Sequence, residues 1–338
     1  MTSDNRPRLA LAMQEGLAGR LFDDEQLRRL GRAADLDPAP VLHEFSSPRA
    51  KASLARVDIL VTGWGCPPLT AEVLARAPRL RAVVHAAGSV KHHVTAACWE
   101  RGIAVSSAAA ANAVPVAEYT VAMIVLANKR VLPLLARQAS GHAQTDPPDS
   151  SVPVGNYRKQ IGVVGASAVG RRVLALLRNY DVERVVADPY LTEAEAGTLG
   201  ARLLGLDELV STSDVVSLHA PSLPQTRHLM DARRLSSMRP GATLINTARG
   251  ELVDTTALTA AVGSGQLYAV LDVTDPEPLP ADSPLWNHPH VALTPHVAGS
   301  LGTELLRMGE LAVGEVERLA DSRPLNHPVS ARLLERMA

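Results

Sequence analysis

Short apolar runs and amphipathic segments alternate along the first 110 residues of the chain. Apolar runs predict strands at 8–13 (RLALAM), 57–63 (VDILVTG), 80–88 (LRAVVHAAG) and 102–107 (GIAVSS). Between them, residues 24–34 and 70–77 carry the apolar spacing of amphipathic helices. Because strands alternate with helices, this part of the chain predicts a parallel sheet with helices on its faces.

A second alternating series begins near residue 160. Strands are predicted at 161–164, 184–187, 214–220, 242–247, 268–273 and 290–296, and helices at 169–180, 206–213, 230–238, 255–265 and 302–320. Two such series in one chain predict an α/β protein with two open parallel sheets.

The longest helical pattern is residues 115–139, PVAEYTVAMIVLANKRVLPLLARQA, which opens with a proline. Apolar residues cover more than one stripe of it, which indicates a second buried face, against another domain or another subunit. The stretch 144–156 is rich in proline and serine and predicts an exposed loop.

Composition narrows the class of partner. The 338 residues are 46% hydrophobic and 20% charged, with a net charge of −1 and no long run of either sign. A general nucleic-acid or membrane surface therefore has little support, and a small-molecule partner is favoured. Cys66 and Cys98 form neither a metal-like spacing nor a disulfide framework, and the N-terminus lacks the apolar core of a signal peptide. The most apolar stretch, 121–127, is far short of a membrane span. We expect a soluble cytoplasmic protein without a metal site.

The segment IGVVGASAVG (161–170) has the form of a dinucleotide-binding turn with one altered residue. Gly165 and Gly170 stand where such a turn requires glycine, and Ser167 replaces the middle glycine. Asp188 follows Gly170 by 18 residues, at the end of an apolar strand, where an acid binds the ribose hydroxyls. A carboxylate there repels a 2′-phosphate, so NAD is favoured over NADP. The alternative is an ordinary strand-to-helix turn.

Three polar residues stand at or just beyond the ends of later strands. They are Arg249, Glu277 and His296. Because the carboxyl ends of parallel strands gather at one edge, the three side chains are expected to meet there. Arginine binds a carboxylate, histidine exchanges a proton with a hydroxyl or carbonyl, and glutamate holds the imidazole. Each also has a structural alternative: a helix cap or surface pair, a loop charge, or a core histidine.

Several motifs resemble those of the D-isomer-specific 2-hydroxyacid dehydrogenases. They are INTARGELVD (245–254), LDVTDPEPLP (271–280), LTPHVAG (293–299), NAVPVAEYTVAMIVLANKR (112–130) and SLHAPSLPQTRHLM (217–230). The resemblance implies Arg249, Glu277 and His296 as the catalytic set and NAD as the cofactor. It also implies an NAD-binding Rossmann domain at 111–299, inserted into a flavodoxin-like substrate domain formed by 1–110 and 300–338. A homodimer through helix 115–139 is implied as well.

The same resemblance names the binding residues. Those expected to contact the cofactor are Gly165, Ser167, Ala168, Val169, Gly170, Asp188, Ala220, Pro221, Thr247, Ala248, Arg249, Asp272, His296 and Gly299. The loop AAGSV (86–90) matches one whose amides hold the substrate carboxylate, with Gly88, Ser89 and Val90 as donors beside Arg249. Lys91 and His92 follow that loop where relatives usually have Asp-Asn, so the substrate stays open.

The resulting expectation is an NAD-dependent oxidoreductase that interconverts a small 2-oxo acid and a D-2-hydroxy acid. Two alternatives stay open. One is an NAD(H)-binding scaffold similar to a corepressor, with little catalysis. The other is an NADP-preferring glyoxylate or hydroxypyruvate reductase, against which Asp188 argues.

Overall fold

A computed structural model describes residues 6–37, 41–141 and 154–334. The chain divides into two compact units: the first takes the chain up to Asn112 and again from Ser300, and the second is Ala113–Gly299. Most of the loop predicted at 144–156 lies outside the described residues.

The first unit is built on a six-stranded sheet. Its strands are β1 (Arg8–Ala12), β2 (Asp35–Leu36), β3 (Ile59–Thr62), β4 (Ala82–His85), β5 (Ala104–Ser107) and β13 (Pro328–Val329). Their order is β13-β5-β4-β3-β1-β2, and only β13 pairs antiparallel to its neighbour. Since β3 and β2 lie on opposite sides of β1, the strand order reverses at β1 and β3.

Helices cover both faces of this sheet. They are α1 (Ala18–Leu21), α2 (Asp24–Ala33), α3 (Pro48–Leu54), α4 (Ala71–Ala75), α5 (Ala96–Glu100), α13 (Leu305–Ala320) and α14 (Ala331–Leu334). Side chains of successive strand residues point to opposite faces. Leu9 therefore packs in a core with Met308 of α13, while its neighbour Ala10 packs in the other core with Leu54 of α3.

The second unit is built on a seven-stranded sheet in which every described pairing is parallel. Its strands are β6 (Gln160–Val164), β7 (Glu183–Ala187), β8 (Arg202–Leu203), β9 (Val215–Leu218), β10 (Thr243–Asn246), β11 (Tyr268–Leu271) and β12 (Val291–Leu293). Their order is β12-β11-β10-β9-β6-β7-β8, so the order reverses between β6 and β9. The predicted α/β class with two open parallel sheets is confirmed.

Helices again lie on both faces. They are α6 (Ala109–Asn128), which begins in the first unit, α7 (Val131–Gly141), α8 (Ala168–Leu176), α9 (Glu193–Thr198), α10 (Leu206–Thr212), α11 (Ala232–Ser237) and α12 (Thr255–Gly263). Val163 and Ile245 pack in a core with Ile124 of α6, and Leu244 packs in the opposite core with Leu258 of α12.

The prediction of one helix over 115–139 is wrong. The helix begins six residues earlier, so Pro115 lies inside α6, and it stops at Asn128. Arg130 adopts a left-handed conformation with φ of 57°, and α7 starts one residue later. Pro133 favours the break, because a proline ring clashes with the carbonyl four residues before it in a continuous helix, although α6 accommodates Pro115. The Arg130 guanidinium stabilises the bend by donating to Thr243 Oγ1 at 3.1 Å and covering the Tyr268 ring.

Helix α6 is also the longest apolar helix among the described residues. By length and composition it could cross a lipid bilayer, with a mean hydropathy of 1.5, but core helices of globular domains meet the same criteria. Within its apolar window 44% is buried against the rest of the protein. Ala117, Val121 and Ile124 supply part of that burial in the core of the second unit.

Candidate active site

The glycine turn lies at the carboxyl end of β6, where the strand order of the second sheet reverses. Gly165 has φ of +97°, and a Cβ there would lie 2.8 Å from the Ala220 amide nitrogen. A Cβ at Gly170 would overlap the Gly165 carbonyl oxygen. Both positions therefore require glycine, which lets β6 turn tightly into α8.

Ser167 fits the turn because its backbone is ordinary. Its φ is −66°, and its hydroxyl caps α8 by accepting a hydrogen bond from the Gly170 amide at 3.4 Å. Serine is a favoured residue at this position of a helix. Ala168 and Val169 form the first turn of α8, directly after the cap. The altered residue thus starts the helix whose N-terminus faces the predicted pyrophosphate site.

Asp188 follows β7, the neighbour of β6, as the sequence predicts. Its carboxylate accepts hydrogen bonds from the Ala166 amide at 2.7 Å and the Tyr190 amide at 2.8 Å. The first bond ties the acid to the glycine turn. A negative charge is therefore fixed next to the predicted dinucleotide site.

The remaining predicted cofactor contacts lie on the same edge of this sheet. Ala220 and Pro221 follow β9, Thr247 and Ala248 follow β10, Asp272 follows β11, and Gly299 lies in the segment after β12. Because all these strands are parallel, their carboxyl ends share one edge with the glycine turn. Their contacts with NAD stay predictions.

Arg249 is held in a tight turn after β10. The Asn246 side chain accepts a hydrogen bond from the Ala248 amide at 3.1 Å and donates one to the Arg249 carbonyl at 2.8 Å. Gly250 packs so closely on the Thr274 carbonyl that a Cβ would overlap it. This contact brings the Arg249 turn against the loop that carries Glu277. Burial lowers the pKa of the Arg249 guanidinium, while Glu277 partly offsets that shift.

His296 and Glu277 form a direct pair. The His296 Nδ1 to Glu277 Oε1 distance is 2.7 Å, and the two side chains are 54% and 43% exposed. His296 adopts φ of 54°, in the left-handed region, and its amide donates to the Asp272 carbonyl at 3.0 Å. Because the pair occupies Nδ1, the other ring nitrogen, Nε2, is the one that can exchange a proton with a substrate.

A buried hydrogen-bond network around Asp272 holds the segment that carries His296. Asp272 is 2% exposed and accepts from Thr294 Oγ1 at 2.6 Å, the Val297 amide at 2.8 Å and the Ala298 amide at 2.9 Å. Tyr119 of α6 bonds the Thr294 hydroxyl at 2.7 Å. Asp272 therefore fixes the turn from which the imidazole projects.

Sequence reasoning missed several of these supports: Asn246, Gly250, Thr294 and Tyr119. All four stand inside the motifs quoted above, and this is the one signal that the sequence offers for them. Asn246 and Tyr119 act through contacts that only the folded chain creates.

The predicted carboxylate loop lies in the first unit, after β4. The Ala86 amide donates to the Thr62 carbonyl at 2.8 Å. A Cβ added at Gly88 would come no closer than 3.6 Å to its neighbours. Below the loop, the Thr62 hydroxyl bonds His85 Nδ1 at 2.9 Å and His93 Nε2 at 3.1 Å. Val90 is 2% exposed, so its side chain is buried. The binding role of Gly88, Ser89 and Val90 stays a prediction.

Comparisons with known proteins agree with this architecture. Residues 121–298 match the D-isomer specific 2-hydroxyacid dehydrogenase family, NAD binding domain. The glyoxylate reductase of Thermofilum pendens is 33% identical over 249 residues, which cover 72% of this chain and 73% of that protein. The D-3-phosphoglycerate dehydrogenase of Mycobacterium tuberculosis is 36% identical over 251 residues, covering 74% of this chain and 47% of that enzyme.

Thus the chain spans about half the length of the phosphoglycerate dehydrogenases that it matches. Among solved structures, the TT0316 protein of Thermus thermophilus is 30% identical, with a TM-score of 0.75. The match covers 96% of this chain and 100% of that one.

Proposed function

Because the chain belongs to the D-isomer-specific 2-hydroxyacid dehydrogenases, with NAD as the cofactor, we propose that it interconverts a small 2-oxo acid and its D-2-hydroxy acid. The observation that carries this proposal is the 2.7 Å pair of His296 and Glu277. The pair lies on the same sheet edge as Arg249 and the glycine turn. An imidazole, a carboxylate and a guanidinium together provide the proton and charge needed to reduce a carbonyl group.

The residues at the glycine turn fit NAD. Glycine at 165 and 170 lets β6 turn directly into α8, because a Cβ at either position would collide with nearby backbone atoms, and a helix N-terminus placed this way suits a pyrophosphate. Asp188 would bind the ribose hydroxyls. When bound, NAD donates or accepts the hydride. We propose that the other predicted contacts at the carboxyl edge of the second sheet complete the NAD site: Ala220, Pro221, Thr247, Ala248, Asp272 and Gly299.

The protein side chains divide the remaining work. In the reducing direction, protonated His296 gives its Nε2 proton to the substrate oxygen, and Glu277 stabilises the imidazolium through Nδ1. Arg249 binds the substrate carboxylate in a bidentate geometry and polarises the carbonyl group. Its guanidinium keeps its charge at neutral pH, because an arginine pKa stays far above neutrality even when burial lowers it. In the oxidising direction, neutral His296 takes the hydroxyl proton.

We assign the two units different tasks. The first unit, expected at 1–110 plus 300–338, is proposed to be the substrate domain, with the amides of Gly88, Ser89 and Val90 as carboxylate donors. The second, expected at 111–299, is proposed to be the Rossmann domain. The observed division after Asn112 and Gly299 supports these boundaries within a few residues.

We further propose a cytoplasmic homodimer. Leu135 of α7 is 59% exposed, and Trp286 is 47% exposed. Trp286 lines a cavity of about 410 Å³ together with residues of α6, α7 and β12. A second copy that packs there would bury this apolar surface. Sedimentation at micromolar concentration tests the dimer, and a monomer would contradict it.

The free thiols of Cys66 and Cys98 suit a reducing compartment.

The proposed activity is tested by NADH oxidation across a panel of 2-oxo acids, with the wild type beside His296→Ala. We expect the variant to lose about 1,000-fold in turnover, because a positioned acid–base group contributes about 10²–10⁴-fold. Equal turnover by both proteins would overturn the assignment. Binding of NADH without turnover of any 2-oxo acid would favour the scaffold alternative.

The NADP-preferring alternative is tested with the cofactor itself. Asp188 carries a charge that repels a 2′-phosphate, so we expect kcat/KM with NADH to exceed that with NADPH. A preference for NADPH would favour the glyoxylate or hydroxypyruvate reductase alternative.

A further inference from the structure

The loops at the carboxyl edge of the first sheet pack tightly where its strand order reverses. The segment after β1 and the turn after β3 meet through a hydrogen bond from the Gln14 amide to the Trp64 carbonyl at 2.8 Å. The turn is closed by the Cys66 amide, which donates to the Gly63 carbonyl at 3.2 Å. Open α/β sheets bind their ligands at such reversals.

Two glycines flank Trp64 and pack closely on the segment after β1. A Cβ at Gly63 would lie 2.9 Å from the Leu17 side chain, and one at Gly65 would lie 2.7 Å from Gln14 Cβ. Gly65 also has φ of +77°. Trp64 stands between them and is 40% exposed. A partly exposed indole therefore lies in a closely packed turn at the same edge of the sheet as the predicted carboxylate loop.

The carboxylate loop is the immediate neighbour of this turn. β3 and β4 pair in parallel with Thr62 opposite His85, so both loops leave the sheet at the same level. Adjacent strands lie about 4.8 Å apart. A 2-oxo acid whose carboxylate bonds the amides of residues 88–90 therefore has the indole of Trp64 within reach of its side chain.

We propose that Trp64 determines specificity, by packing on the side chain of a 2-oxo acid that is aromatic or branched aliphatic. This inference rests on the proposed function and adds the substrate class to it. An indole contributes a large, rigid apolar surface at low entropic cost, and stacks well on another ring.

The charges on these loops disfavour a phosphorylated side chain. Phosphate binding usually requires several cationic or N–H donors. Residues 13–17, 63–66 and 86–92 contain one lysine, Lys91, and one carboxylate, Glu15, besides the exposed His92. Their formal charges cancel, so the edge offers a phosphate dianion little net attraction.

The test compares the wild type with Trp64→Ala and Trp64→Phe at saturating NADH. The substrates are phenylpyruvate, 4-methyl-2-oxopentanoate, glyoxylate and 3-phosphohydroxypyruvate. We expect Trp64→Ala to lower kcat/KM for the first two by about 10–100-fold, the range of one apolar pocket contact. Glyoxylate, which has no side chain, should change by less than about threefold, and Trp64→Phe should recover most of the loss for phenylpyruvate.

Tyr180→Ala is the matched control, since Tyr180 is an aromatic residue of the second unit that is also 40% exposed. This variant should leave kcat/KM unchanged for all four substrates. NADH affinity should be equal in every variant, which separates specificity from misfolding.

Two outcomes overturn the inference while leaving the proposed function intact. One is a wild type that prefers 3-phosphohydroxypyruvate or glyoxylate. The other is an equal loss for all four substrates in Trp64→Ala, which indicates a structural role. Failure of the wild type to reduce any 2-oxo acid would instead overturn the proposed function.

Discussion

The two parallel sheets of this protein carry different chemistry on their carboxyl edges. The edge of the second sheet holds ionisable side chains that form hydrogen bonds with one another or with the backbone. Asp188 accepts from the glycine turn, Asp272 accepts from the 294–298 turn, and Glu277 pairs with His296. The edge of the first sheet offers backbone amides and the exposed ring of Trp64. We therefore propose that the same architecture serves proton transfer and cofactor binding in one unit, and recognition of the substrate side chain in the other.

Histidines make the same contrast. His296 of the second unit is exposed and paired with a carboxylate. His85 and His93 of the first unit are 2% and 3% exposed and share the Thr62 hydroxyl. Burial lowers the pKa of His93 to about 4 and that of His85 well below its ordinary value. Both imidazoles support the loop after β4 through the Thr62 hydroxyl, in contrast to the exposed His296.

After His296→Ala, the largest effect that sharpens this contrast is expected at Glu277. Glu277→Gln keeps a hydrogen-bonding group beside His296 Nδ1 but removes the negative charge that stabilises the imidazolium. We expect kcat to fall by about 100-fold, measured as NADH oxidation with the best 2-oxo acid. Glu72→Gln is the control from the first unit, because Glu72 forms an exposed surface pair with Arg76. Similar activity in both variants would contradict the role of Glu277.

A smaller effect is expected at the glycine turn. Gly170→Ala places a methyl group on the Gly165 carbonyl and displaces the start of α8. NADH affinity should fall by about 30-fold, equivalent to about 2 kcal/mol. Gly197→Ala, at a helical site with nothing within 4 Å of the added Cβ, is the control. Titration of NADH fluorescence measures both, and unchanged affinity in Gly170→Ala would count against a pyrophosphate at this turn.

Acid should destabilise the first unit more than the second. His219, in the second unit, is also buried, and its pKa is lowered to about 3. Unfolding lets each buried imidazole take up a proton near its ordinary pKa of about 6.5. Stability is therefore fully present above about pH 6.5 and is lost as the pH falls toward the folded-state values.

Each such histidine changes the free energy of unfolding by at most about 1.4 kcal/mol per pH unit. The first unit has two such fully buried histidines and the second has one, His219, besides the half-buried His290, whose pKa is also lowered. The free energy of unfolding should therefore fall more steeply with acid in the first unit. Hydrogen exchange followed by mass spectrometry at pH 6.5 and 5.0, corrected for intrinsic rates, reports each unit separately. Equal slopes in the two units would show that these imidazoles do not account for the difference.

The smallest effect is expected at Ser167. Ser167→Gly removes the cap on the Gly170 amide, and glycine at that position costs a few tenths of a kcal/mol. Turnover should stay intact, and NADH affinity should change by no more than about tenfold, or about 1.4 kcal/mol. Loss of folding or turnover would show that the hydroxyl does more than cap α8.

The sequence allowed prediction of the features that depend on local pattern. Strand and helix positions follow from apolar periodicity, and Arg249, Glu277 and His296 stand out because they follow strand ends in specific motifs. The family follows from the same motifs.

Features that depend on distant contacts escaped prediction. Helix 115–139 looks continuous in sequence, but Arg130 bends the chain toward Thr243 and Tyr268, more than 100 residues away. Gly250 matters because of its approach to Thr274, which no spacing along the chain reveals.

The central claim is that this edge of the second sheet supports hydride transfer to the C2 carbon of a 2-oxo acid. NADH deuterated at both C4 positions tests it directly, with the best substrate of the panel. The product should carry one deuterium at C2 and have the D configuration, as measured by chiral chromatography with mass spectrometry. An L or racemic product, or a product without deuterium at C2, would contradict the claim.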